Sequence, residues 1–190
     1  MRGITKACVL LATVAVVLAP AQARADGYVN PWLGVNALSG NDGGNITFGV
    51  TTGYMGAGVF GFEADLGYSP HFFTLDNGLN SRTGVTIMGD AILGIPIGGT
   101  HGAGIRPFVS SGIGLIRTMT ELQNVNDVSS STNSFGWNAG IGMMGFFNDH
   151  VGLRGDLRYF RTFEDSITGI DLLNGGRLRF WRFSGGVTFR

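Results

Sequence analysis

From Asn45 to Tyr54, the residues Ile46, Phe48, Val50, Thr52 and Tyr54 share one parity; Asn45, Thr47, Gly49, Thr51 and Gly53 share the other. Strand periodicity separates these two sets cleanly, whereas 3.6 residues per turn would mix them. The alternation recurs down the chain. Phe60, Phe62, Ala64, Leu66 and Tyr68 oppose Gly61, Glu63, Asp65 and Gly67. Val85, Ile87, Ala91 and Leu93 follow, then Val109, Ile113 and Leu115, then Trp137, Ala139, Ile141 and Met143. Val151, Leu153, Leu157 and Tyr159 form the next set, and Trp181, Phe183, Val187 and Phe189 the last. With Pro31 to Leu38 as a weaker first member, the count is eight strands. No apolar run after Asp26 reaches the ~18 residues of a membrane helix, so the strands must carry the fold.

Residues 1–25 read as a secretory signal. Arg2 and Lys6 precede the apolar stretch Ala7 to Ala19, and Ala23-Arg24-Ala25 offers the small residues of a cleavage site. Cleavage there removes three of the 13 basic residues and leaves 10 against 13 acidic ones, a charge of −3. It also removes the only lysine and the only cysteine, Cys8. The formal charge of +0 for the whole chain offers no basis for nucleic-acid binding. A single cysteine excludes an intramolecular disulfide and a multi-cysteine zinc site, and no cofactor is expected.

Two arrangements suit alternating strands. A soluble sandwich would turn the apolar face inward; a membrane barrel would turn it to lipid. Segments of about 9–13 residues match tilted membrane strands better than the ~5–6 residues usual in soluble sheets. Aromatics gather near strand ends, as two membrane interfaces require. Trp32, Tyr54, Phe146, Phe147, Trp181 and Phe189 are expected at one rim, and Tyr68, Trp137, Tyr159 and Phe163 at the other. Connections at 39–44, 69–82, 117–134 and 164–176 are mostly long and polar; those at 55–58, 95–104 and 148–150 are mostly short. The expected fold is all-β: an eight-stranded antiparallel up-and-down transmembrane β-barrel over residues 26–190. Glycine, 33 of 190 residues, then fits an interior only just wide enough for side chains.

The segments RPFVSSGIGL (Arg106 to Leu115) and FGWNAGIGMMGFFNDHVGLRGDLRYF (Phe135 to Phe160) resemble the outer-membrane protein A-like β-barrel domains of Gram-negative bacteria. The likeness spans essentially all of 26–190 and implies an outer-membrane location without specifying a reaction. The ending WRFSGGVTFR is similar to the C-terminal aromatic signal read by the outer-membrane assembly machinery, with Trp181, Phe183, Val187 and Phe189 as its residues. It departs from that signal in ending on Arg190.

The inward parity holds Glu63, Asp65, Asp90 and Asp156 together with Arg154, Arg158 and Arg182. Buried charges are costly unless paired, so an interior ion-pair network is expected, either as a structural plug or as a gate. Arg117, Arg161, Arg177 and Arg179 share the outward parity just beyond the apolar band. They suit either lipopolysaccharide phosphates or plain interfacial solvation. Gly140-Ile-Gly142-Met-Met-Gly145 matches the dinucleotide fingerprint literally, but no strand-to-helix turn surrounds it. His71, His101 and His150 lie in connections, and for His71 the nearest partners are Ser69 and Asp76; no positioned triad is evident.

The functional expectation is a non-enzymatic structural or surface-interaction barrel. The alternatives are a narrow porin-like channel for small solutes and, third, a lipid-modifying enzyme. Its expected partners are outer-membrane lipid and lipopolysaccharide, the assembly machinery, and an extracellular ligand at the outer loops. Residues 118–134 and His71-Phe72-Phe73-Thr74-Leu75 are the loop candidates for such a ligand.

Overall fold

The computed structural model describes residues 26–38, 44–70, 80–98, 102–122, 129–163 and 178–190. The strands are β1 (Asp26–Leu38), β2 (Gly44–Gly56), β3 (Phe60–Ser69), β4 (Asn80–Gly94), β5 (Gly104–Leu122), β6 (Ser129–Phe146), β7 (Val151–Thr162) and β8 (Arg179–Phe189). Each pairs antiparallel with its sequence neighbours, and β1 pairs with β8, closing an eight-stranded barrel. Closure leaves no strand edge unpaired. The signal-like segment 1–25 lies outside the described residues.

Register sets the barrel's shape. The chain of cross-strand partners that leaves β8 at Phe189 runs through Val29, Thr52, Ala64, Gly89, Ile113, Trp137 and Arg161. It returns to β8 at Arg179, and 189 − 179 gives a stagger of 10 residues. With ordinary strand spacings, that stagger over eight strands tilts them by roughly 40°. Each step across a pair then climbs roughly 3 Å along the axis, and each residue along a strand roughly 2.5 Å. Arg179 therefore stands ~25 Å above Phe189, the height of a barrel's apolar band.

The start of β1 and the end of β8 lie on one side, the terminus side, where Val29 pairs with Phe189. On that side β2 and β3 join through 57–59, where the Val59 N–H donates to Gly56 O at 3.0 Å. The central residues of the turn, Ala57 and Gly58, both have positive φ (50° and 68°), as a type I′ turn requires. Between β6 and β7, the Asn148 side chain accepts from the backbone N–H of His150 and Val151, at 2.9 and 2.8 Å. The strand ends joined by the other four connections, 39–43, 70–79, 123–128 and 163–178, lie on the opposite, loop side.

The large outward residues of the strands are exposed: Leu33, Ile46, Phe62, Ile113, Ile141 and Phe183 are each at least 60% accessible. A barrel with charge inside and a continuous apolar exterior is built for lipid. Closure also predicts a behaviour: the unheated protein should migrate differently in an SDS gel from the boiled one. A single, heat-independent band would count against a closed barrel.

Three expectations need correction. β1 starts at Asp26 rather than Pro31. Proline lacks an N–H, but β1 passes it because Pro31 is aligned with Val50 of β2, while the ladder to β8 runs from Val29↔Phe189 to Trp32↔Gly186. The connection expected at 117–134 shrinks to 123–128, because β5 and β6 keep pairing as far as Glu121↔Ser129. The aromatic rims also change. Trp32 and Phe146 are buried inside the barrel, and Trp181 pairs with Tyr159 near the loop-side end.

Candidate functional site

The inward residues of β3, β4, β7 and β8 meet at mid-barrel. Arg154 and Arg158 are four residues apart on β7, so both point inward and stand one above the other. Arg154 grips Glu63 with both ends of its fork, Nη1 to Oε1 at 2.5 Å and Nη2 to Oε2 at 3.1 Å. Its Nε donates to Asp156 Oδ2 at 3.0 Å. Arg158 bridges three carboxylates: Glu63 Oε2 at 3.0 Å, Asp90, and Asp156 Oδ1 at 3.4 Å from its Nε. Arg182 donates to Asp65 Oδ1 at 2.8 Å, and Thr51 donates to the other oxygen of Asp65 at 2.8 Å. Asn138 and Ser184 complete the shells of Asp90 and Asp156, at 2.6 and 2.8 Å. All seven charged residues expected inside are thus brought together and buried.

This arrangement answers the cost of buried charge. Every carboxylate has an arginine beside it and at least one further donor, and the planar guanidinium suits such forked pairing better than an ammonium would. Aromatic faces cover the arginines. Arg154 lies 4.4 Å from the Phe108 ring centre, and Arg182 lies 4.2 Å from Trp32 and 4.9 Å from Phe160. Room for them comes from glycine: a Cβ at Gly140 would stand 2.7 Å from Arg158 Cγ. The apparent dinucleotide fingerprint at 140–145 is therefore a stretch of strand β6, with Gly140 making way for an arginine.

Apolar clusters cap the charged layer at both ends. On the terminus side Tyr28, Met55, Ile92, Phe108, Met144 and Phe146 pack together. On the loop side Met88, Ile116, Phe160 and Phe180 do so, with the last two rings stacked 4.7 Å apart at 3°.

Two interior residues escaped the sequence reading. Tyr28 donates its hydroxyl to Glu63 and accepts from Arg154 Nη1 at 3.4 Å. Arg106, fully inside, faces Met55 Sδ at 3.7 Å and the Phe146 ring at 5.4 Å. Both sit next to a proline or a strand start that masked the alternation. Extending the parity of Trp32 back to Tyr28, and of Phe108 back to Arg106, would have found them.

A comparison with protein families adds the decisive observation: the profile named "Outer membrane protein beta-barrel domain" matches residues 7–190. The chain belongs to that family. It is a small outer-membrane β-barrel protein. Solved structures agree on the fold. Neisserial surface protein A matches with 17% identity and a TM-score of 0.66, over 88% of this chain and 99% of that one. The N-terminal barrel domain of OprF from Pseudomonas aeruginosa matches at 17% and 0.54, over 87% and 98%. Ail, the attachment invasion locus protein of Yersinia pestis, solved with the heparin analogue sucrose octasulfate, matches at 10% and 0.51, over 87% and 97%. A search of proteins with curated functions finds no match.

The other expected site residues separate in space. Arg161 and Arg179 are direct cross-strand partners on the outward face; Arg117 pairs with Val85 and Asn133, two strands away from Arg161. Arg177 lies outside the described residues, as do His71, His101 and the segment 71–79. Ser69 is the last residue of β3, buried, and its hydroxyl donates to Thr47 while accepting from Asn36, so strand pairing does fix its geometry. On β8, Trp181, Phe183, Val187 and Phe189 all face outward. Arg190, beyond them, turns away from the lipid face. Its N–H donates to His150 O at 2.8 Å, its Nε donates to Asp149 O at 3.1 Å, and its guanidinium lies 4.2 Å from the Phe146 ring centre.

Proposed function

We propose that this outer-membrane barrel is closed to solutes and serves a structural and surface-interaction role through its loop-side end. The observation that carries the reading is the filling of the lumen. A mid-barrel layer of mutually paired charges lies between two apolar clusters. An ion crossing it would have to separate buried pairs and also wet two stacks of aromatic and aliphatic side chains, each a large cost.

In the orientation implied by a signal-led chain, the terminus side faces the periplasm and the loop side faces out. There β5 and β6 continue to Glu121↔Ser129, ~10 Å above the level of Arg179 at the same tilt, so their paired ends stand clear of the lipid. A paired ribbon standing above the surface is a natural contact element for an extracellular ligand. The outward aromatic face of β8 is the one an assembly machinery would read, and Arg190, folded onto the β6–β7 turn, leaves that face free. An enzymatic role would need a nucleophile held by a base, and Ser69 is already engaged with Thr47 and Asn36.

Single-channel recording of the refolded barrel tests the reading. Wild type and Arg154→Ala should both be electrically silent, since the apolar clusters remain in the variant. Current steps in wild type would overturn closure. Steps only in Arg154→Ala would make the ion pairs a gate and the protein a channel.

A further inference from the structure

The outward face of β7 and β8 carries a ladder of directly opposed pairs. From the loop side downward these are Arg161↔Arg179, Tyr159↔Trp181, Leu157↔Phe183, Gly155↔Gly185 and Leu153↔Val187. At its top, two arginines are directly opposed across the strand pair at the lipid boundary. Like charges directly opposite one another destabilise a strand pair. Among the described residues neither arginine has an ion-pair partner, whereas Arg154, Arg158 and Arg182 are each held by carboxylates. Two cations on directly opposed positions, at the height where headgroups begin, are within reach of one shared anion.

The surroundings specify what kind. Immediately below, the Tyr159 ring lies 5.0 Å from Trp181 and 5.8 Å from Trp137, forming a three-ring shelf. Trp137 is also the cross-strand partner of Arg161. Aromatic rings at this depth mark the membrane interface. Two residues below Leu157 and Phe183, the paired glycines leave a trough: a Cβ at Gly155 or Gly185 would meet nothing nearer than 3.9 Å. An anionic head at the arginines, glycerol- or sugar-depth contact at the rings and a slender chain in the trough describe one amphiphile.

We propose that Arg161 and Arg179, with the Trp137–Tyr159–Trp181 shelf beneath them, bind a phosphate monoester of lipopolysaccharide's lipid A, one of whose acyl chains lies over Gly155 and Gly185. A phosphate offers enough acceptor oxygens for a forked contact from each guanidinium, and arginine matches that geometry where lysine would offer only a point charge. The site rests on the outward orientation of the loop side given above. Arg117 does not belong to it: it stands at nearly the same height but roughly 13 Å round the barrel from Arg161, by the same strand spacing.

The test uses the full barrel refolded into phosphatidylcholine nanodiscs, which expose both faces, so orientation in the cell does not enter the result. Native mass spectrometry then reads retention of added diphosphoryl lipid A. Wild type and Arg117→Gln should retain it equally, and the Arg161→Gln/Arg179→Gln double variant should lose about tenfold or more of the affinity, as expected for lost charge-assisted hydrogen bonds. Dephosphorylated lipid A should bind no better to wild type than to the double variant. Millimolar inorganic phosphate should not displace the lipid, because it lacks the chain. Equal retention of diphosphoryl lipid A by the double variant, or binding of dephosphorylated lipid A to wild type as tight as that of the diphosphoryl form, overturns the site. Full competition by inorganic phosphate reduces it to a free-anion site, and by phosphatidylglycerol to a general phosphodiester contact; either refutes the lipid A assignment. Both arginines are at the surface, and the heat-dependent gel shift checks that the variants fold. Conductance is untouched by this outcome, so closure of the barrel and lipid binding fail separately.

Discussion

Arg154→Ala should destabilise the barrel by roughly 3–5 kcal/mol, the usual cost of stripping one partner from a buried ion pair. Glu63 would lose both of its contacts to that fork, and Asp156 its contact to Nε, with all three residues out of water. Urea titration of the barrel refolded in lipid vesicles, read by tryptophan fluorescence, measures the loss. Removing Glu63 as well, in an Arg154→Met/Glu63→Met double variant, should recover part of it. Arg158 still has Asp90 and Asp156, Asp156 still has Arg158 and Ser184, and no lone charge is left behind. A single variant within about 1 kcal/mol of wild type would mean that water reaches the layer and screens it, contrary to the packed lumen.

The second large effect is on the other face of the wall. Leu33 is outward and 62% exposed. Counting four residues up β1 from Val29 places it ~13 Å above Phe189, near the middle of the apolar band. Leu33→Arg should therefore cost roughly 2–4 kcal/mol in a bilayer, whereas Tyr54→Arg, close to the terminus-side interface, should cost no more than about 1 kcal/mol. The same vesicle titration reads both. Equal, small effects at the two depths would place that face in water rather than lipid. The contrast matters because exposed leucine in an isolated barrel has the same accessibility whichever solvent surrounds it.

Much of this was legible beforehand, and for one reason. Side-chain direction in a strand alternates strictly, so parity alone sent Glu63, Asp65, Asp90, Asp156, Arg154, Arg158 and Arg182 to the lumen and Trp181, Phe183, Val187 and Phe189 to the outside. Parity failed where the strand was cut short. A strand that starts at Pro31 does not reach Tyr28, three residues before it. Apolar alternation becomes visible only from Val109, although the strand begins at Gly104 and includes Arg106. Nearness to strand ends points Trp32 and Phe146 to a rim, although both share the parity of inward neighbours and are buried.

The serine- and threonine-rich stretch after Arg117 misled for a different reason. Polar residues there suggested a loop, yet β5 and β6 go on pairing. Beyond the lipid, neither face of a hairpin needs to be apolar, so hydrophobic alternation disappears while the backbone ladder continues.

Parity, the strand number and the sign of each face are local properties, set by backbone pleat and side-chain type, and the chain alone determined them. The stagger of 10 residues, the fork of Arg154 on Glu63 and the meeting of Arg161 with Arg179 depend on which residue faces which across a strand pair. Those are decided by hydrogen bonding between segments distant in sequence and by the requirement that β8 close on β1. Only the closed barrel brings residues more than 90 positions apart into one buried charge layer.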